Sequence, residues 1–431
     1  QRVMRLCHSF EVPVVARGAG TGLSGGAMPH EDGVLLGLSK FNRVLSVDTA
    51  NRTALVQPGV TNLAISEAVR SHGLYYAPDP SSQIACSIGG NVAENSGGVH
   101  CLKYGLTVHN VRKLKIVSPS GELYELGGDG LDSAGYDLLA LMHGSEGMLG
   151  IVVEITVDLL PLPESVCVVL AGFDDVGGAG EAVGEIIADG ILPAGLEMMD
   201  NPAIRAAEAF ALAGYPVDAA AVLLCELDGT AEEIAAQLIR LKAVLKKNGA
   251  TTIREAFNET DRQQLWQGRK SAFPAVGRIA PDYFCMDGTI PRRELSVVLT
   301  AITNMSKRYG LGVANVFHAG DGNLHPLILY DANDPDQLEK AEAFGAEILT
   351  LCIEKGGTIT GEHGVGVEKL DQMCVQFSED ELSLFHAVKD AFDSKGLLNP
   401  GKAVPTLHRC AEFGAMHVHH GETRFPELER F

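Results

Sequence analysis

Four residues in two glycine-rich segments could form a catalytic site that contains a metal ion. His318 and His325 lie in HAGDGNLHP, and Glu362 and His363 lie in GEHG. The glycines between the first two histidines disfavour a helix, so we expect a loop there. A lone histidine is more often structural than a ligand, but two loop histidines and a Glu-His pair in another glycine turn favour a site. Two imidazoles and a carboxylate with an open position suit catalytic Zn²⁺ or Mn²⁺, which would acidify a bound hydroxyl group.

A glycine-rich loop near the start of the chain is suited to holding an anionic cofactor. Arg17–Gly26 reads RGAGTGLSGG and contains five glycines, which leave backbone N–H groups free to face an anion. Part of it matches G-x-G-x-x-G, but a Rossmann fingerprint must open a helix. Here Pro29 and then the apolar run Val34–Leu38 follow. The sequence therefore predicts strand–loop–strand.

Two further loops carry the same composition. Ser87–Gly98 reads SIGGNVAENSGG, and Gly144–Gly150 reads GSEGMLG. Each loop by itself could be only a tight turn. Three such loops within about 150 residues favour one extended cofactor that contacts all of them.

A basic pair in WQGRKSAF is the candidate for binding an anionic substrate. Arg269 could grip a carboxylate, whereas Lys270 is ambiguous and Arg278 is a weaker candidate. A solvated surface pair is the competing interpretation. The chain has 34 basic and 55 acidic side chains and a net charge of −21, so an anion needs a local positive centre. The same charge argues against binding nucleic acid or an anionic membrane.

The nine cysteines are scattered and include no CxxC pair, which argues against a disulfide framework and against an iron–sulfur cluster held by this chain. A reducing, cytoplasmic compartment fits this usage, with association at the inner face of the membrane through partners as an alternative. No signal peptide and no apolar run of about 18 residues is present. The chain opens with Gln1 inside a helical stretch, so we expect an N-terminal segment to precede it.

Hydrophobic periodicity divides the chain into two parts. Short β-branched runs predict strands before the prolyl segment Pro161–Glu164, the best candidate boundary. Beyond it, alanine-rich helices alternate with strands in a split βαβ pattern with a mixed sheet. We expect a domain at 1–163, a second domain at 164–385 that carries the metal site, and a segment at 386–431 that returns to the first.

The order of the three loops carries a family resemblance. RGAGTGLSGG, then YAPDPSSQIACSIGGNVAENSGG, then GSEGMLG resembles the FAD-binding domain of the vanillyl-alcohol oxidase and p-cresol methylhydroxylase superfamily. Nearly the whole chain is similar to the narrower family of FAD subunits of bacterial glycolate oxidase. The resemblance implies an α+β fold, with a two-subdomain FAD-binding domain and a ferredoxin-like cap domain for the substrate.

The resemblance also implies which residues contact FAD. The first loop would hold the pyrophosphate, Gly150 and Ile151 would contact the adenine side, and Asn399 would return to the flavin. That loop has no histidine for a covalent flavin link, so the FAD should be dissociable. The full expected set is Arg17, Gly18, Ala19, Gly20, Thr21, Gly22, Leu23, Ser24, Gly25, Gly26, Pro78, Asp79, Ser87, Gly90, Asn91, Asn95, Ser96, Gly97, Gly98, Glu146, Gly150, Ile151 and Asn399.

The same resemblance implies which residues bind the metal, which one acts as general base and which one binds the substrate carboxylate. Related D-2-hydroxy-acid dehydrogenases bind metal through the counterparts of His318, His325 and Glu362. The counterpart of His363 is the general base, and that of Arg269 binds the substrate carboxylate. The family often has Asn two residues after the second histidine, where this chain has Leu327. The change favours a small acid.

The implied activity is metal-assisted oxidation of glycolate to glyoxylate with hydride transfer to flavin N5. Electrons would pass to a partner subunit or a quinone, with a second FAD-type subunit and an iron–sulfur subunit as expected partners. The alternatives are a D-lactate or D-2-hydroxyglutarate dehydrogenase, a non-catalytic scaffold subunit and a zinc hydrolase. The histidine-rich tail after Leu407, with His408, His417, His419, His420 and Cys410, is predicted to dock a partner, with metal binding as its alternative.

Overall fold

The computed structural model describes residues 1–130, 135–406 and 409–410. It confirms the α+β class. The elements before the prolyl segment are α1 (Arg2–Phe10), β1 (Val14–Arg17), β2 (Val34–Gly37), β3 (Val44–Asp48), β4 (Thr53–Val56), α2 (Asn62–Val69), β5 (Leu74–Tyr75), α3 (Ile88–Glu94), α4 (Cys101–Tyr104), β6 (Val111–Val117), β7 (Leu123–Gly127), α5 (Leu138–Met142), β8 (Ile151–Asp158) and β9 (Leu160–Pro161).

Two sheets carry the glycine loops. Strands β1 and β2 pair in parallel, and the first glycine loop connects them, so the predicted strand–loop–strand arrangement is confirmed. A five-stranded antiparallel sheet has the order β3-β4-β8-β6-β7. Its inner face packs on α2 and α3 through a buried apolar cluster that includes Ile65, Ile88 and Ile155. Burial of this cluster fixes the ends of the strands from which the loops project.

The remaining elements form a helix-covered sheet. They are β10 (Ser165–Phe173), α6 (Val176–Ala188), β11 (Gly195–Asp200), α7 (Asn201–Ala211), β12 (Ala221–Gly229), α8 (Ala231–Lys247), β13 (Ala250–Ala256), α9 (Glu259–Lys270), α10 (Ala272–Val276), β14 (Asp282–Cys285), α11 (Leu295–Tyr309), β15 (Gly312–Phe317), β16 (Pro326–Tyr330), α12 (Pro335–Glu354), α13 (Leu370–Gln376) and α14 (Glu379–Phe392).

This seven-stranded sheet has the order β13-β10-β12-β11-β15-β16-β14. Its pairings within the described ranges are all antiparallel, so the mixed pairing predicted from the sequence is not found. Apolar clusters cover both faces. Helix α8 shows why these segments are helical: Thr230 and Glu233 form a capping box, and Ile234, Leu238 and Leu241 recur at helical spacing on the buried side.

The chain returns to the first sheets near its C-terminal end. The Val14 N–H donates to the Leu397 carbonyl at 2.7 Å, and the Asn399 N–H donates to the Val14 carbonyl at 2.9 Å. Cys374 and Cys410 form a disulfide, which the scattered cysteines did not predict. The other seven cysteines are free and buried.

The predicted docking tail falls almost wholly outside the described residues, including His408, His417, His419 and His420. Among the described residues, no helix combines the length and the apolar composition needed to cross a membrane.

Candidate active site

Strands β15 and β16 and the loop between them position the two candidate metal-binding histidines. Nε2 of His318 lies 3.3 Å from Oε1 of Glu362, and Nε2 of His325 lies 3.4 Å from the same oxygen. Both imidazoles are buried, and neither ring nitrogen of His325 has a hydrogen-bond partner among the described residues. A buried polar atom left without a partner is costly. A divalent cation between these three residues would bind one of these two nitrogens, since an imidazole offers a metal a single ligand atom, so the predicted ligands fit a metal.

Burial and charge keep the carboxylate of this cluster ionised. Burial raises the pKa of Glu362, but the hydrogen bond from His318 and the positive charge of that imidazole outweigh it. The net result is a pKa of about 2. An ionised carboxylate is the form that coordinates a metal.

A buried glutamate on β11 connects the candidate metal ligands to Arg269, which was predicted to bind the substrate carboxylate. Oε1 of Glu197 lies 2.8 Å from Nδ1 of His318, and Oε2 accepts a hydrogen bond of 2.9 Å from Nε of Arg269. The side chains of Glu197 and Arg269 are 1% and 3% exposed. A carboxylate behind a metal-binding histidine fixes its tautomer and its ring orientation. The charge of Arg269 is therefore neutralised inside the cap, and this residue is not on the cavity lining where the clamp was predicted.

The segment that carries Glu362 and His363 wraps around Asp287, a residue the sequence analysis missed. The carboxylate accepts hydrogen bonds from the N–H groups of Gly361, Glu362 and His363, at 3.2, 3.2 and 2.8 Å, and from the Thr360 hydroxyl at 2.6 Å. Asp287 is fully buried. Its oxygens take the place of the regular pairing that the glycine turn lacks, and they hold this turn in one conformation.

His363 lies at the edge of the metal cluster and on the wall of a cavity. Its ring stacks on that of His325, with centroids 4.9 Å apart and planes 14° apart. Burial lowers the pKa of His363 to about 4. Its imidazole is therefore uncharged near neutral pH and can accept a proton.

The cavity has a volume of about 410 Å³ and brings all three glycine loops together with His325, Glu362 and His363. That volume lies in the range of roughly 300–1,000 Å³ that is usual for cofactor sites. Of the predicted FAD-contacting residues, those on the lining are Gly18, Ala19, Gly20, Thr21, Gly22, Leu23, Gly26, Ser87, Gly90, Asn91, Ser96, Glu146, Gly150 and Ile151.

Close backbone approach explains why glycine occupies the lining. A Cβ added at Gly18 would lie 2.2 Å from Oγ of Ser87, and Gly20 has a φ of +72°. The surface offered to a ligand is therefore largely main chain, as recognition of a pyrophosphate requires.

The other predicted FAD-contacting residues support the loops instead of lining the cavity. The amide of Asn399 donates to the carbonyls of Gly26 and Glu146, and the Asn95 side chain accepts from the Val108 N–H. Asp79 binds His100, with 2.8 Å between Oδ2 and Nδ1. The predicted residues off the lining are Arg17, Ser24, Gly25, Pro78, Asp79, Asn95, Gly97, Gly98 and Asn399.

A seam of hydrogen bonds joins the first glycine loop to the turn that carries His363. The Ser24 hydroxyl donates to the Gly364 carbonyl at 2.9 Å, and the carboxylate of Glu146 accepts from the N–H groups of Val365 and Gly366 at 2.7 and 2.8 Å. Glu94 lines the cavity beside Glu146, and its Oε2 is buried without a partner. Burial and then the charge of Glu146 raise the pKa of Glu94 well above its ordinary value.

Two further candidates from the sequence, Arg278 and Leu327, are not on the cavity lining. Arg278 is exposed, donates to the Ala209 carbonyl and lies over the Phe210 ring. Leu327 is buried in the apolar cluster on one face of the seven-stranded sheet.

Comparison with known protein families accounts for the glycine-loop cavity. Residues 1–127 match the family described as FAD binding domain, and residues 162–403 match the family described as FAD linked oxidases, C-terminal domain. This chain belongs to the FAD-linked oxidase family. It is an FAD-dependent oxidoreductase, and it has the fold that the resemblance implied.

Related sequences narrow the family membership. The chain is 64% identical over 429 residues to glycolate oxidase subunit GlcD of Escherichia coli strain K12, which covers 100% of this chain and 86% of that protein. It is 42% identical over 402 residues to the Bacillus subtilis protein of the same name, covering 93% and 86%. A D-lactate dehydrogenase of Archaeoglobus fulgidus is 32% identical over 411 residues, covering 94% and 89%.

A solved structure shows the same architecture. The structure of p-cresol methylhydroxylase with substrate bound aligns with a TM-score of 0.77 and 18% identity, covering 94% of this chain and 87% of that one. At this identity the likeness shows the fold alone.

Proposed function

We propose that this FAD-linked oxidase oxidises glycolate to glyoxylate. The observation that carries the proposal is the single cavity that joins the three glycine loops to His325, Glu362 and His363. A redox cofactor and a proton acceptor can reach one small substrate only where their sites meet. The relatives named glycolate oxidase subunit support the choice of acid.

FAD binds non-covalently in this proposal. Backbone N–H groups of the first glycine loop hold its pyrophosphate, and the loops around Ser87 and Gly150 hold the rest of it. The bound FAD supplies the hydride acceptor, and the protein supplies position and electrostatics.

His318, His325 and Glu362 hold a divalent metal, Zn²⁺ or Mn²⁺. The orphaned ring nitrogens of His325 support this assignment. The metal supplies a Lewis acid that lowers the pKa of the substrate hydroxyl group.

His363 accepts the hydroxyl proton as the C2 hydrogen leaves with its electron pair, so that the acid loses one proton and one hydride. Its ring is uncharged and lines the cavity beside the metal ligands. General-base catalysis of this type contributes about 10²- to 10⁴-fold to a rate.

The electrons leave through a partner. The seven free cysteines of the described residues are scattered and buried, which does not suit a cluster for electron transfer. An iron–sulfur subunit, with a second FAD-type subunit beside it, fills this role in the proposal. Two relatives are each named a subunit of glycolate oxidase, which supports the proposal that this chain works in a complex with partner subunits.

The test is the absorbance of the FAD-loaded protein under anaerobic conditions, before and after glycolate, with D-lactate and D-2-hydroxyglutarate in parallel. We expect glycolate to bleach the flavin band fastest. His363→Ala should keep the flavin spectrum and lose about 10²-fold or more in the rate of reduction.

His72→Ala is the matched control because His72 is exposed and lies off the cavity lining. Flavin reduction at the wild-type rate in His363→Ala would show that His363 is not the general base. Faster bleaching by D-lactate than by glycolate would replace the proposed substrate.

A further inference from the structure

The two carboxylate oxygens of Glu362 face different parts of the molecule. Oε1 lies 3.3 Å from Nε2 of His318 and 3.4 Å from Nε2 of His325. Oε2 accepts a hydrogen bond of 3.0 Å from the N–H of Gly97, in the second glycine loop. One oxygen therefore faces the two imidazoles, and the other is held by main chain of the part that matches the FAD binding domain.

Closeness to Glu362 explains the glycine at position 97. The φ of Gly97 lies outside the left-handed region, so the backbone conformation does not call for a glycine. An added Cβ would lie 2.9 Å from Oε2 of Glu362 and 3.5 Å from its Cβ. Any side chain at this position would therefore push the carboxylate out of its present place.

Contacts on both sides of Gly97 fix the direction of its N–H group. The hydroxyl and the N–H of Thr107 both donate to the Ser96 carbonyl, at 2.7 and 3.3 Å. On the other side, a Cβ added at Gly98 would lie 2.5 Å from the carbonyl group of Asp79, so the two backbones are closely packed there. A donor fixed in this way loses little conformational entropy when it binds the carboxylate.

The side chain of Glu362 needs such an anchor because it has space on two sides. It lines the cavity of the glycine loops, and it also lines a second cavity of about 390 Å³ together with Gly97, Asp321 and Asn323. Asp287 holds the main-chain N–H of Glu362 and leaves the orientation of its carboxylate to other contacts. A carboxylate that can rotate must be ordered before it binds a metal, and this ordering costs free energy.

We infer that Gly97 is a positioning residue of the metal site, whose N–H holds one oxygen of Glu362 so that the other coordinates the metal beside the two imidazoles. The inference rests on the proposed function for the presence of Zn²⁺ or Mn²⁺. A hydrogen bond behind a metal ligand fixes the orientation of that ligand, and its loss lowers metal affinity.

The second glycine loop then serves both the cofactor and the metal. Asn91 and Ser96 line the cavity of the glycine loops, and Gly97 follows directly with its N–H on the carboxylate of Glu362. A flavin and a metal must lie at a fixed separation if one small acid is to meet both. A main-chain contact from the cofactor loop to a metal ligand maintains this separation without a donor side chain that could rotate.

The experiment measures metal affinity separately from turnover. Dissociation constants for Zn²⁺ and Mn²⁺ are measured by competition with a chelator in the FAD-loaded wild type, Gly97→Ala and Gly37→Ala. Gly37 is the matched control, because a Cβ added there has nothing within 4 Å.

A second pair of variants separates the displacement of Glu362 from crowding elsewhere. The Cβ added at Gly97 would also lie 3.1 Å from Cδ2 of Leu106. The double variant Gly97→Ala with Leu106→Ala removes that crowding and keeps the contact with Glu362, and Leu106→Ala alone is its control.

Gly97→Ala should weaken the binding of Zn²⁺ and Mn²⁺ by roughly 10- to 100-fold, the effect expected when a group that orients a metal ligand is lost. The double variant should bind metal as weakly as Gly97→Ala, and both controls should match the wild type. FAD affinity, measured from the quenching of flavin fluorescence, should stay within about threefold of the wild type in Gly97→Ala, because Gly97 is not on the lining of the cofactor cavity.

The electron paramagnetic resonance spectrum of bound Mn²⁺ gives a readout that a loss of stability alone would not change. At saturating Mn²⁺, the spectrum of Gly97→Ala should differ from that of the wild type, because the coordinating carboxylate has moved. The spectrum of Gly37→Ala should be unchanged.

Equal metal affinity in Gly97→Ala and the wild type overturns the inference while glycolate oxidation stands. Metal affinity that returns in the double variant assigns the loss to crowding at Leu106 and overturns the inference as well, as does an FAD affinity that falls together with metal affinity. A wild type that binds neither Zn²⁺ nor Mn²⁺ also overturns it. A wild type whose metal binding depends on Gly97 but whose flavin is not reduced by glycolate overturns the proposed function and leaves the positioning role in place.

Discussion

The FAD side and the cap side of the cavity recognise their ligands by opposite means. On the FAD side the lining is largely glycine backbone, and a Cβ added at Gly18 would displace the Ser87 hydroxyl group. On the cap side the groups are polar and charged side chains in a chain of contacts, in the order Arg269, Glu197, His318, Glu362, His325 and Asp287. Ligand recognition on the FAD side depends on glycines that have no side-chain atoms. Ligand recognition on the cap side depends on the balance of buried charges.

Because of this difference, we expect different kinds of substitution to damage the two sides of the cavity. Added volume damages the FAD side, because closely packed backbone cannot move aside. Removal of a charge damages the cap side, because the partner is left buried and unpaired.

The largest effect on stability is expected from Glu197→Gln. This change leaves the buried guanidinium of Arg269 without a counter-charge and weakens the hold on His318. We expect a loss of about 3–5 kcal/mol in the free energy of unfolding. We also expect roughly 10- to 100-fold weaker binding of Zn²⁺ or Mn²⁺. Denaturant unfolding and competition with a chelator measure the two effects.

Glu185→Gln makes the same chemical change in an exposed ion pair with Lys247. Solvent screens that pair, so its loss should leave unfolding and metal binding nearly unchanged. Equal stability of the two variants would contradict the charge balance described for the cap.

Gly366→Ala should cause a smaller loss of stability. Gly366 lies at the seam where the first glycine loop meets the turn that carries His363. Gly366 has a φ of +53°, and an added Cβ would lie 1.9 Å from the Ser24 carbonyl oxygen. Backbone cannot rotate away as a side chain can, so we expect a loss of about 2–3 kcal/mol in the free energy of unfolding. FAD affinity should fall as well, because the first glycine loop must shift.

Gly396→Ala separates crowding from backbone strain. Gly396 has a φ of +61° and nothing within 4 Å of the added Cβ. Its cost should be about 1 kcal/mol. If Gly366→Ala cost no more than this control, the seam would not be tightly packed.

The smallest effect is a change in pH dependence from Glu94→Gln. The pKa of Glu94 is raised from its ordinary value of 4.5, so the wild type has its full stability below pH 4.5 and loses part of it as the pH rises through the higher folded value. Glutamine does not titrate. The variant should therefore become more stable than the wild type as the pH rises from 4 to 8, with little difference at pH 4.

Thermal unfolding across that pH range measures the difference, with Glu31→Gln at an exposed position as the control. A stability gain for Glu94→Gln that is constant with pH would indicate a packing effect instead of a titration.

Local signals were enough to predict much of the fold and the proximity of His318, His325 and Glu362. The proline and the β-branched run after the first glycine loop excluded a Rossmann helix, because they prevent a helix from starting there. Glycines around His318 and His325 indicated a loop, and the structure places both imidazoles against Glu362. The roles of these residues stay predictions until a metal is measured.

Contacts distant in sequence could not be predicted. Glu197 lies 72 residues before Arg269, and nothing in WQGRKSAF shows that its arginine is already paired. Asp287 meets the N–H groups of a turn more than 70 residues later. An isolated aspartate before a glycine has no local signal for this role. The disulfide likewise joins cysteines 36 residues apart, whose proximity depends on the packing of the C-terminal segment.

The return of the C-terminal segment to β1 sets an order for biosynthesis. The amide of Asn399 binds the carbonyl of Gly26 across 373 residues, and Lys402 binds the same carbonyl. These contacts form only after nearly the whole described chain has been made, and contacts so distant in sequence form late in folding. A ribosome-bound chain that ends before Asn399 therefore has its first glycine loop without these two donors. The loop reaches its final support only after Asn399 and Lys402 have been made, so tight FAD binding should follow the synthesis of this segment.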